Sequence, residues 1–412
     1  MDIDRRLEEM GRRPDIAAAI AFVRETDEDT VATQVELCEI PAPPFGEALR
    51  GARVAELFGG AGLGRPAQDA AGNVVVERAG SRDDGLLVVS AHLDTVFPLD
   101  TDVSVKREGD LLRGPGISDD ARGLATLVAL ARMLDAAKLR TRSPLLFAAT
   151  VGEEGAGDLR GVKELFSDRG RARDASGFIS LDGAGTERIV VEGLGARRYL
   201  VSLRGPGGHS WVDWGTANPI HALSELGRAL TSLDLRTDPR ATLTLARIGG
   251  GKSINAIPQH AWLEIDTRSA RSHDLDELEG TIRAVVARLG AEHEGLAFEV
   301  TITGDRPAGR TDPEATLVRA AMAATRAQHT EPVLALSSTD ANVPMALGVP
   351  AVTLGCGGEA GQAHTTSEWY RNVRGPEGII RAFHTILLAA GLAPDGSKRG
   401  AISRRRRPPS DR

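Results

Sequence analysis

The segment LLVVSAHLDTV, residues 86–96, joins a run of apolar residues to a histidine and an aspartate. Its apolar part, residues 86–91, has the length and composition of a β-strand that is buried on both faces. Such strands belong to parallel sheets that are covered by helices on both sides. His92 and Asp94 follow at the carboxyl end of this strand, which is where open α/β sheets bind their ligands.

Two more apolar runs end in acidic residues. The run 143–151 leads into Glu153 and Glu154, and the run 178–181 leads into Asp182. We expect these carboxylates to share one crevice with the histidine of the first strand, because the carboxyl ends of parallel strands lie along one edge of a sheet. Histidine and carboxylate ligands together suit zinc or a similar divalent metal ion. The sequence therefore predicts a metal-dependent hydrolase.

Length and composition narrow the class of protein further. A chain of 412 residues exceeds what one hydrophobic core usually supports, so we expect two domains. A net charge of −7 gives no basic footprint for nucleic acid, and no stretch reaches the roughly 18 apolar residues of a membrane span. The N-terminus lacks the apolar core of a signal peptide. The two cysteines, Cys38 and Cys356, argue against a disulfide framework, so we expect a cytoplasmic protein.

The first part of the chain alternates between helical and strand patterns. Helices are predicted over residues 15–36, 47–58 and 123–137, and strands over residues 74–76, 86–91 and 145–150. This alternation is typical of an α/β domain with a mostly parallel sheet flanked by helices.

The pattern changes after Gly193. Predicted strands cover residues 198–204, 241–248, 261–268 and 298–303, and predicted helices cover residues 218–233 and 275–289. The order β-α-β-β-α-β is that of the split βαβ, or ferredoxin-like, unit. Because a helical pattern resumes at 313–328, the simplest arrangement is a small α+β domain inserted into the larger one.

The domain boundaries follow from that insertion. We expect residues 1–194 and 307–393 to form the two parts of the larger domain, which carries the predicted metal site, and residues 195–306 to form the inserted domain. We expect residues 394–412 to form a disordered basic tail. A solvated tail is the simpler interpretation of its arginines, and binding to nucleic acid or to a membrane surface is the alternative.

Several motifs of the chain resemble those of the dinuclear zinc exopeptidases, the family that includes peptidase T, glutamate carboxypeptidase, acetylornithine deacetylase and aminoacylase. The resemblance covers roughly residues 15–390 and follows the family's order of motifs. The motifs are HLDTV at 92–96, GPGISDDARG at 114–123, EEG at 153–155, LDG at 181–183, GGHS at 207–210 and a late histidine, His364. Any one of them is a weak signal, whereas all of them in the right order are a strong one.

The resemblance implies a site for two zinc ions per subunit, or for cobalt or manganese ions in their place. Asp119 would bridge both ions. His92 and Asp182 would complete one site, and Glu154 and His364 would complete the other. A shared carboxylate offsets the repulsion between two metal ions, which activate a bridging water.

The resemblance also assigns catalytic roles. Glu153 would be the general base, which takes a proton from the water and passes it to the leaving amine. The carboxylate of Asp94 would orient the neighbouring imidazole. His209 would donate a hydrogen bond to the oxyanion, frequently from the partner subunit, so we expect a homodimer. The inserted domain, residues 195–306, would then be a lid or dimerisation domain. A cis peptide bond between Asp119 and Asp120 is implied as well.

Substrate class is where the sequence becomes less decisive. Asn255 and Arg268 match family positions that hold the substrate backbone or carboxylate. In this family, Asp at position 182 accompanies aminopeptidases and dipeptidases, and Glu accompanies carboxypeptidases and deacylases. The phrase around His209 is also most similar to the peptidase T-like branch, which favours a di- or tripeptide aminopeptidase. The turn at 114–117 resembles the carboxypeptidase branch at least as well. An N-acyl amino acid deacylase or glutamate-type carboxypeptidase, of the acetylornithine or succinyl-diaminopimelate kind, is therefore the alternative.

Each assignment also has a simpler interpretation. Asp94 could be an ordinary turn residue, the Glu153-Glu154 pair a solvated turn, and Arg268 a surface arginine at the end of a strand. His209 could be an exposed histidine in a glycine-rich loop. A catalytically silent binding protein on the same fold would have lost a ligand or the base, and none is lost here. We expect a small peptide or N-acyl amino acid as substrate, and neither nucleic acid nor membrane as partner.

Overall fold

A computed structural model of the chain describes residues 3–82 and 84–393. The predicted basic tail, residues 394–412, lies outside the described residues. Four β-sheets organise the part of the chain that is described, one of nine strands, two of four strands and one of two strands. Among these residues, no helix is long and apolar enough to cross a membrane.

Strands and helices alternate along the described residues. The strands are β1 (Ala67–Gln68), β2 (Val74–Arg78), β3 (Leu86–His92), β4 (Lys106–Glu108), β5 (Leu111–Arg113), β6 (Leu145–Thr150), β7 (Ala175–Leu181), β8 (Arg188–Gly193), β9 (Gly195–Arg204), β10 (Gly208–His209), β11 (Ala241–Gly250), β12 (Ala256–Ile257), β13 (His260–Ser269), β14 (Ala297–Arg306), β15 (Gly309–Arg310), β16 (Val333–Ser337), β17 (Ala351–Leu354), β18 (Glu359–Gly361) and β19 (Trp369–Arg371). The α-helices are α1 (Ile3–Gly11), α2 (Pro14–Glu25), α3 (Asp27–Cys38), α4 (Ala48–Gly60), α5 (Ala121–Ala136), α6 (Arg160–Leu165), α7 (Pro219–Thr231), α8 (Ser272–Glu292), α9 (Thr316–Arg326), α10 (Asn342–Ala346) and α11 (Gly375–Ala390).

The large sheet has the strand order β1-β2-β6-β3-β7-β17-β8-β15, with β16 paired to β8. Its centre is parallel, because β3 runs parallel to both β6 and β7, and β7 runs parallel to β17. Every residue of β6 is buried, which explains why this segment is a continuous apolar run in the sequence. The predicted α/β fold with a mostly parallel sheet is confirmed.

Helices cover both faces of this sheet. Val89 of β3 belongs to the core cluster that contains residues of α5, α9 and α11, whereas its neighbour Val88 belongs to a second cluster with α6 and α10. The alternation follows from the two-residue period of a strand. Burial of one such aliphatic side chain contributes roughly 1.5–3 kcal/mol, so both faces contribute to stability.

The second large element is a four-stranded antiparallel sheet, here called the small sheet. Its order is β11-β13-β9-β14, and helices α7 and α8 pack on one face around a separate core. The chain order β9-α7-β11-β13-α8-β14, with the two-residue strands β10 and β12 as additions, is the predicted split βαβ unit. The boundaries of the predicted domains stay a prediction.

Two predicted elements differ from the observed ones. The helix expected over residues 15–36 is divided into α2 and α3 at Thr26. Thr26 separates the two helices because its backbone, with φ −102° and ψ 22°, lies outside helical geometry. The last helix, α11, was not predicted, and most of its residues are buried.

Candidate metal centre and active site

The predicted site residues lie where the parallel strands end. His92 is the last residue of β3, Asp182 directly follows β7, and Glu153 comes shortly after β6. These three strands are neighbours in the sheet, so their carboxyl ends meet at one edge. The structure therefore brings together the residues that the strand pattern singles out.

A cleft of about 930 Å³ opens at this edge, between the large sheet and the small sheet. The predicted residues that line it are Asp119, Glu153, Glu154, Asp182, Arg268 and His364. His92 lies beneath the surface of the cleft and is buried. Arg198 and Arg306 add two positive charges from the small sheet.

Asp119 stands between two histidines. Its Oδ1 atom lies 3.0 Å from Nε2 of His92, and its Oδ2 atom lies 3.0 Å from Nε2 of His364. The same nitrogen of His364 lies 2.9 Å from Oε1 of Glu154. A carboxylate that directs one oxygen toward each of two imidazoles has the arrangement needed to bridge two metal ions.

The turn before α5 fixes the position of Asp119. The peptide bond between Asp119 and Asp120 is cis, as the resemblance implies. Asp120 caps α5 by accepting a hydrogen bond from the amide of Gly123 at 3.0 Å. At Gly116, φ is +79°, and a β-carbon there would lie 2.7 Å from Cγ2 of Thr95, so this turn requires glycine.

Among the described residues, two groups of side chains bring their ligand atoms within 4.8 Å of one another. One group is His92, Asp119 and Glu154, and the other is His92, Asp120 and Asp182. The second differs from the implied ligand set, because it contains Asp120 in place of Asp119. The Asp120 carboxylate also accepts a hydrogen bond from the His92 amide at 3.0 Å, so both of its oxygens hold the backbone.

Asp94 acts on the backbone of the acidic turn. Its two carboxylate oxygens accept hydrogen bonds from the amides of Glu153 at 2.9 Å and Glu154 at 2.8 Å. Nδ1 of His92 lies 3.0 Å from the main-chain oxygen of Asp94 and 3.9 Å from its carboxylate. The imidazole is thus oriented by the Asp94 carbonyl, and the carboxylate orients the two glutamates.

Glu153 is buried and faces a buried arginine. Nη1 of Arg306 lies 3.3 Å from Oε1 of Glu153, and Nη2 donates to the Glu153 carbonyl. Arg306 also donates to the hydroxyl of Ser338 at 3.2 Å. Since Arg306 ends β14, the small sheet contributes directly to the position of Glu153.

The ionisable groups of the cleft perturb one another strongly. Burial raises the pKa of Asp182 to about 7, and the nearby Asp119 adds to the rise. Burial also raises the pKa of Glu153 well above its usual range, against the attraction of Arg306. Hydrogen bonds to Asp119 and Glu154 raise the pKa of His364 to about 10. Protons thus offset the crowded negative charge, and divalent metal ions would replace those protons, so the residues fit a metal centre.

The other three predicted residues occupy different places. Arg268 lines the cleft, and its Nε donates to Asp266 at 2.8 Å. His209 is exposed and is not among the cleft-lining residues described; its Nδ1 accepts from the amide of Trp211 at 3.2 Å. Asn255 is exposed on the same part of the small domain, where its carbonyl accepts from the amide of Ser210.

A model of peptidase family M20/M25/M40 matches residues 88–389, which is most of the chain. The chain belongs to this family. As an M20/M25/M40 member it is a hydrolase of the metallopeptidase and amidohydrolase class, and its motifs, fold and cleft agree with that class. The resemblance drawn from the motifs is confirmed.

Three similar proteins illustrate the range of the family. The uncharacterized protein YqjE of Bacillus subtilis (strain 168) is 26% identical over 308 residues, which are 72% of this chain and 79% of that protein. Carboxypeptidase G2 of Pseudomonas sp. (strain RS-16) is 24% identical over 58% of this chain and 57% of that protein. The crystal structure of aminopeptidase PepT from Bacillus cereus superposes with a TM-score of 0.69 at 22% identity, over 88% of this chain and 97% of that one. At this identity the PepT likeness concerns the fold.

Several polar residues of this M20/M25/M40 site have no signal in the sequence. Arg306 precedes a proline at the end of a strand, and Glu368 follows His364 by four positions; neither lies in a motif that sequence reasoning singled out. Asp340 is buried, and its carboxylate accepts a hydrogen bond from the hydroxyl of Thr150, the last residue of β6, at 2.5 Å. Their roles come from contacts between distant segments, which one sequence does not show.

Proposed function

We propose that this M20/M25/M40 member is a metal-dependent exopeptidase that removes the N-terminal residue from di- and tripeptides. The observation that carries the proposal is the Asp119 carboxylate, which directs one oxygen at His92 and the other at His364. Asp182 supports the choice of an aminopeptidase, because Asp at this position accompanies recognition of a free amine in the branches of the family that the sequence resembles. The fold shared with aminopeptidase PepT is consistent with it.

Two divalent ions, with zinc as the preferred metal, would be held around Asp119. His92 and Asp182 would complete one site, and Glu154 and His364 the other. Asp182 is preferred to Asp120 as the ligand because both oxygens of Asp120 already accept backbone hydrogen bonds. When bound, such a metal pair supplies Lewis-acid polarisation of the scissile carbonyl and lowers the pKa of water from about 15.7 toward 7.

The chain itself would move the proton. Glu153 accepts a proton from the attacking water and returns it to the leaving amine, which contributes about 10²- to 10⁴-fold to the rate. The Asp94 carboxylate accepts hydrogen bonds from the amides of Glu153 and Glu154. It therefore fixes the backbone position of the base, Glu153, relative to the adjacent metal ligand, Glu154. Arg306 fixes the other end of the Glu153 side chain.

Arginines on the small sheet suit the carboxylate of a short peptide. Arg268 and Arg198 line the cleft, and both contact the Asp266 side chain between them. Guanidinium groups bind carboxylates in a planar, bidentate way. A cleft of about 930 Å³ has room for a di- or tripeptide.

A homodimer and a cytoplasmic location complete the proposal. His209 and Asn255 are exposed and are not among the cleft-lining residues described, so we expect them to act on a substrate that is bound in a partner's cleft. Cys38 and Cys356 are both free and buried, which suits a reducing compartment.

The second candidate is hydrolysis of N-acyl amino acids or of C-terminal glutamate amides. The match to carboxypeptidase G2 favours it, although that match covers little more than half of either chain. Both reactions cleave an amide with the same groups, so contacts in the pocket decide between them.

A substrate panel on metal-reconstituted protein tests the proposal. Metal-stripped protein is given zinc, cobalt or manganese and is assayed with unblocked di- and tripeptides, N-acetyl amino acids and γ-glutamyl conjugates. We expect the unblocked peptides to be cleaved from the N-terminus with the highest kcat/KM. Faster cleavage of N-acyl amino acids would establish the second candidate, and no hydrolysis with any metal would refute both.

A further inference from the structure

The loop that carries His364 is exposed to solvent. Residues 362–367 are all exposed, and Gln362 and His364 have positive φ angles of 58° and 65°. Residues other than glycine occupy that region of backbone space in only a few per cent of cases, most often as asparagine, aspartate or histidine. The position of His364 therefore depends on how the ends of this loop are held.

Glu368 holds one of those ends. It is the first buried residue after the exposed stretch, with 0% of its surface accessible. Its carbonyl accepts a hydrogen bond from the amide of Gly114 at 3.0 Å. The loop's other end is held by the pairing of β18 with β19, in which Gly361 lies opposite Trp369.

The Glu368 carboxylate reaches across to the turn that presents Asp119. Its Oε1 accepts from the amides of Ser118 at 2.8 Å and Asp119 at 3.0 Å, and from the Ser118 hydroxyl at 2.7 Å. Its Oε2 accepts from the amide of Gly116 at 3.0 Å. Bonds from backbone amides to an ionised carboxylate are stronger than neutral ones, so this contact fixes the turn.

These contacts connect the two halves of the candidate metal centre. The Asp119 turn supplies the bridging ligand of both sites, and the exposed loop supplies His364 to one of them. In contrast, His92 and Asp182 are fixed by the ends of β3 and β7 and need no support from Glu368. Loss of the Glu368 carboxylate would thus affect one site much more than the other.

We propose that Glu368 is a positioning residue that couples the two metal sites, so that two ions are bound as a pair. The inference rests on the proposed function in so far as the centre takes two divalent ions. Glu368 makes no contact with substrate in this account. It acts by fixing the position of the Asp119 carboxylate relative to the imidazole of His364.

Titration of metal-stripped protein with cobalt(II), followed by calorimetry and by the visible absorption of the bound ion, tests this coupling. The wild type is expected to bind two equivalents without a resolved intermediate. In Glu368→Gln, an NH2 group replaces one carboxylate oxygen. This NH2 group would face a backbone N–H that had donated a hydrogen bond to the oxygen. In this variant we expect the first equivalent to bind nearly as before and the second to bind about 10- to 100-fold more weakly, as is usual when a residue that orients metal ligands is lost.

Asp274→Asn is the matched control. Asp274 is also a buried acid, with 3% exposure, and accepts a hydrogen bond from the Ser269 hydroxyl at 2.7 Å within the small domain. This variant is expected to lower the melting temperature and to leave the cobalt titration unchanged. A loss of stability alone therefore does not imitate the expected result.

The outcomes separate the inference from the function on which it rests. A wild type that binds fewer than two ions refutes the proposed metal centre itself. If the wild type binds two ions, the coupling alone is overturned either by two separately resolved binding steps in the wild type or by a Glu368→Gln variant that binds both ions with unchanged affinity. If Glu368→Gln does not fold, Ser118→Ala is tested in its place, because it removes one of the four hydrogen bonds that the Glu368 carboxylate accepts. Binding of the second cobalt equivalent as tightly as in the wild type would then overturn the coupling.

Discussion

Arg306 shows how one residue outside every motif can control the candidate base. Its side chain is only 7% exposed, and it contacts both the carboxylate and the carbonyl of Glu153. Removal of one partner from a buried, hydrogen-bonded charge pair leaves the other partner unpaired. Glu153 would then lose its orientation toward the attacking water.

The first prediction concerns this pair. Arg306→Met should lower kcat by about 10-fold or more, a part of the 10²- to 10⁴-fold that a general base supplies. KM and metal content should change little, since Arg306 is not a proposed ligand. Steady-state kinetics with metal analysis measures this, and Arg306→Lys should recover part of the rate. A kcat equal to that of the wild type would remove Arg306 from the positioning of Glu153.

For individual residues, the sequence predicts the functional role of those that lie in motifs. It does not predict the role of residues that act through contacts with distant segments. His92, Glu153 and Asp182 follow apolar runs, so their meeting at one sheet edge follows from strand geometry. Glu368 and Arg306 are single polar residues whose partners lie far away in the chain. Nothing in their local pattern distinguishes them from surface residues.

Among the secondary-structure elements, strands and helices differ in how well the sequence predicts them. The central strands are apolar throughout because both of their faces are covered, and their limits are close to those predicted. The division between α2 and α3 lies at Thr26, where the backbone leaves helical geometry, and hydrophobic periodicity does not show such a local change. Helix α11 was not predicted; it is buried on most sides and includes the buried residues Arg381 and His384.

The second prediction concerns His384 of α11. This histidine is buried, and neither ring nitrogen has a hydrogen-bond partner among the described residues. Burial lowers the pKa of His384 from 6.5 to about 4. Between these two values the unfolded chain binds a proton that the folded chain does not, so stability present above pH 6.5 is lost as the pH falls toward 4.

His384→Leu should remove this dependence. Relative to its value at pH 8, the free energy of unfolding of the wild type should fall at pH 5 by about 2 kcal/mol more than that of the variant. Urea denaturation at several pH values measures the difference. The exposed His221, changed to leucine, is the control and should leave the pH dependence as it is. Equal pH dependence in the wild type and His384→Leu would contradict the prediction.

At the scale of the whole molecule, the cleft is built from both sheets. The strand ends of the large sheet, the turn before α5 and the loop between β18 and β19 supply the candidate metal ligands, and the small sheet supplies Arg198, Arg268 and Arg306. The contact is reinforced at the acidic turn, where Arg198 donates to the carbonyl of Gly155 at 2.6 Å and Asp158 accepts from the amide of Asp305. The sequence predicts both sheets, whereas their mutual placement depends on these side-chain contacts and was not predictable.

The third prediction concerns a second subunit. Because His209 is exposed and away from the cleft of its own chain, we expect it to act on a substrate in a partner's cleft. Glu153→Ala and His209→Ala proteins, each weakly active alone, should regain activity when they are mixed under conditions that exchange subunits. Mixtures no more active than the separate proteins, despite exchange shown by labelled subunits, would assign His209 no role across an interface.

The central claim is that Asp119 bridges two divalent metal ions, and anomalous X-ray diffraction at the zinc absorption edge tests it most directly. Crystals of the zinc-reconstituted protein should show two anomalous peaks about 3.5 Å apart, one on each side of the Asp119 carboxylate. One peak should lie beside His92 and the other beside His364. A single peak, or no peak at this carboxylate in zinc-replete crystals, would contradict the account.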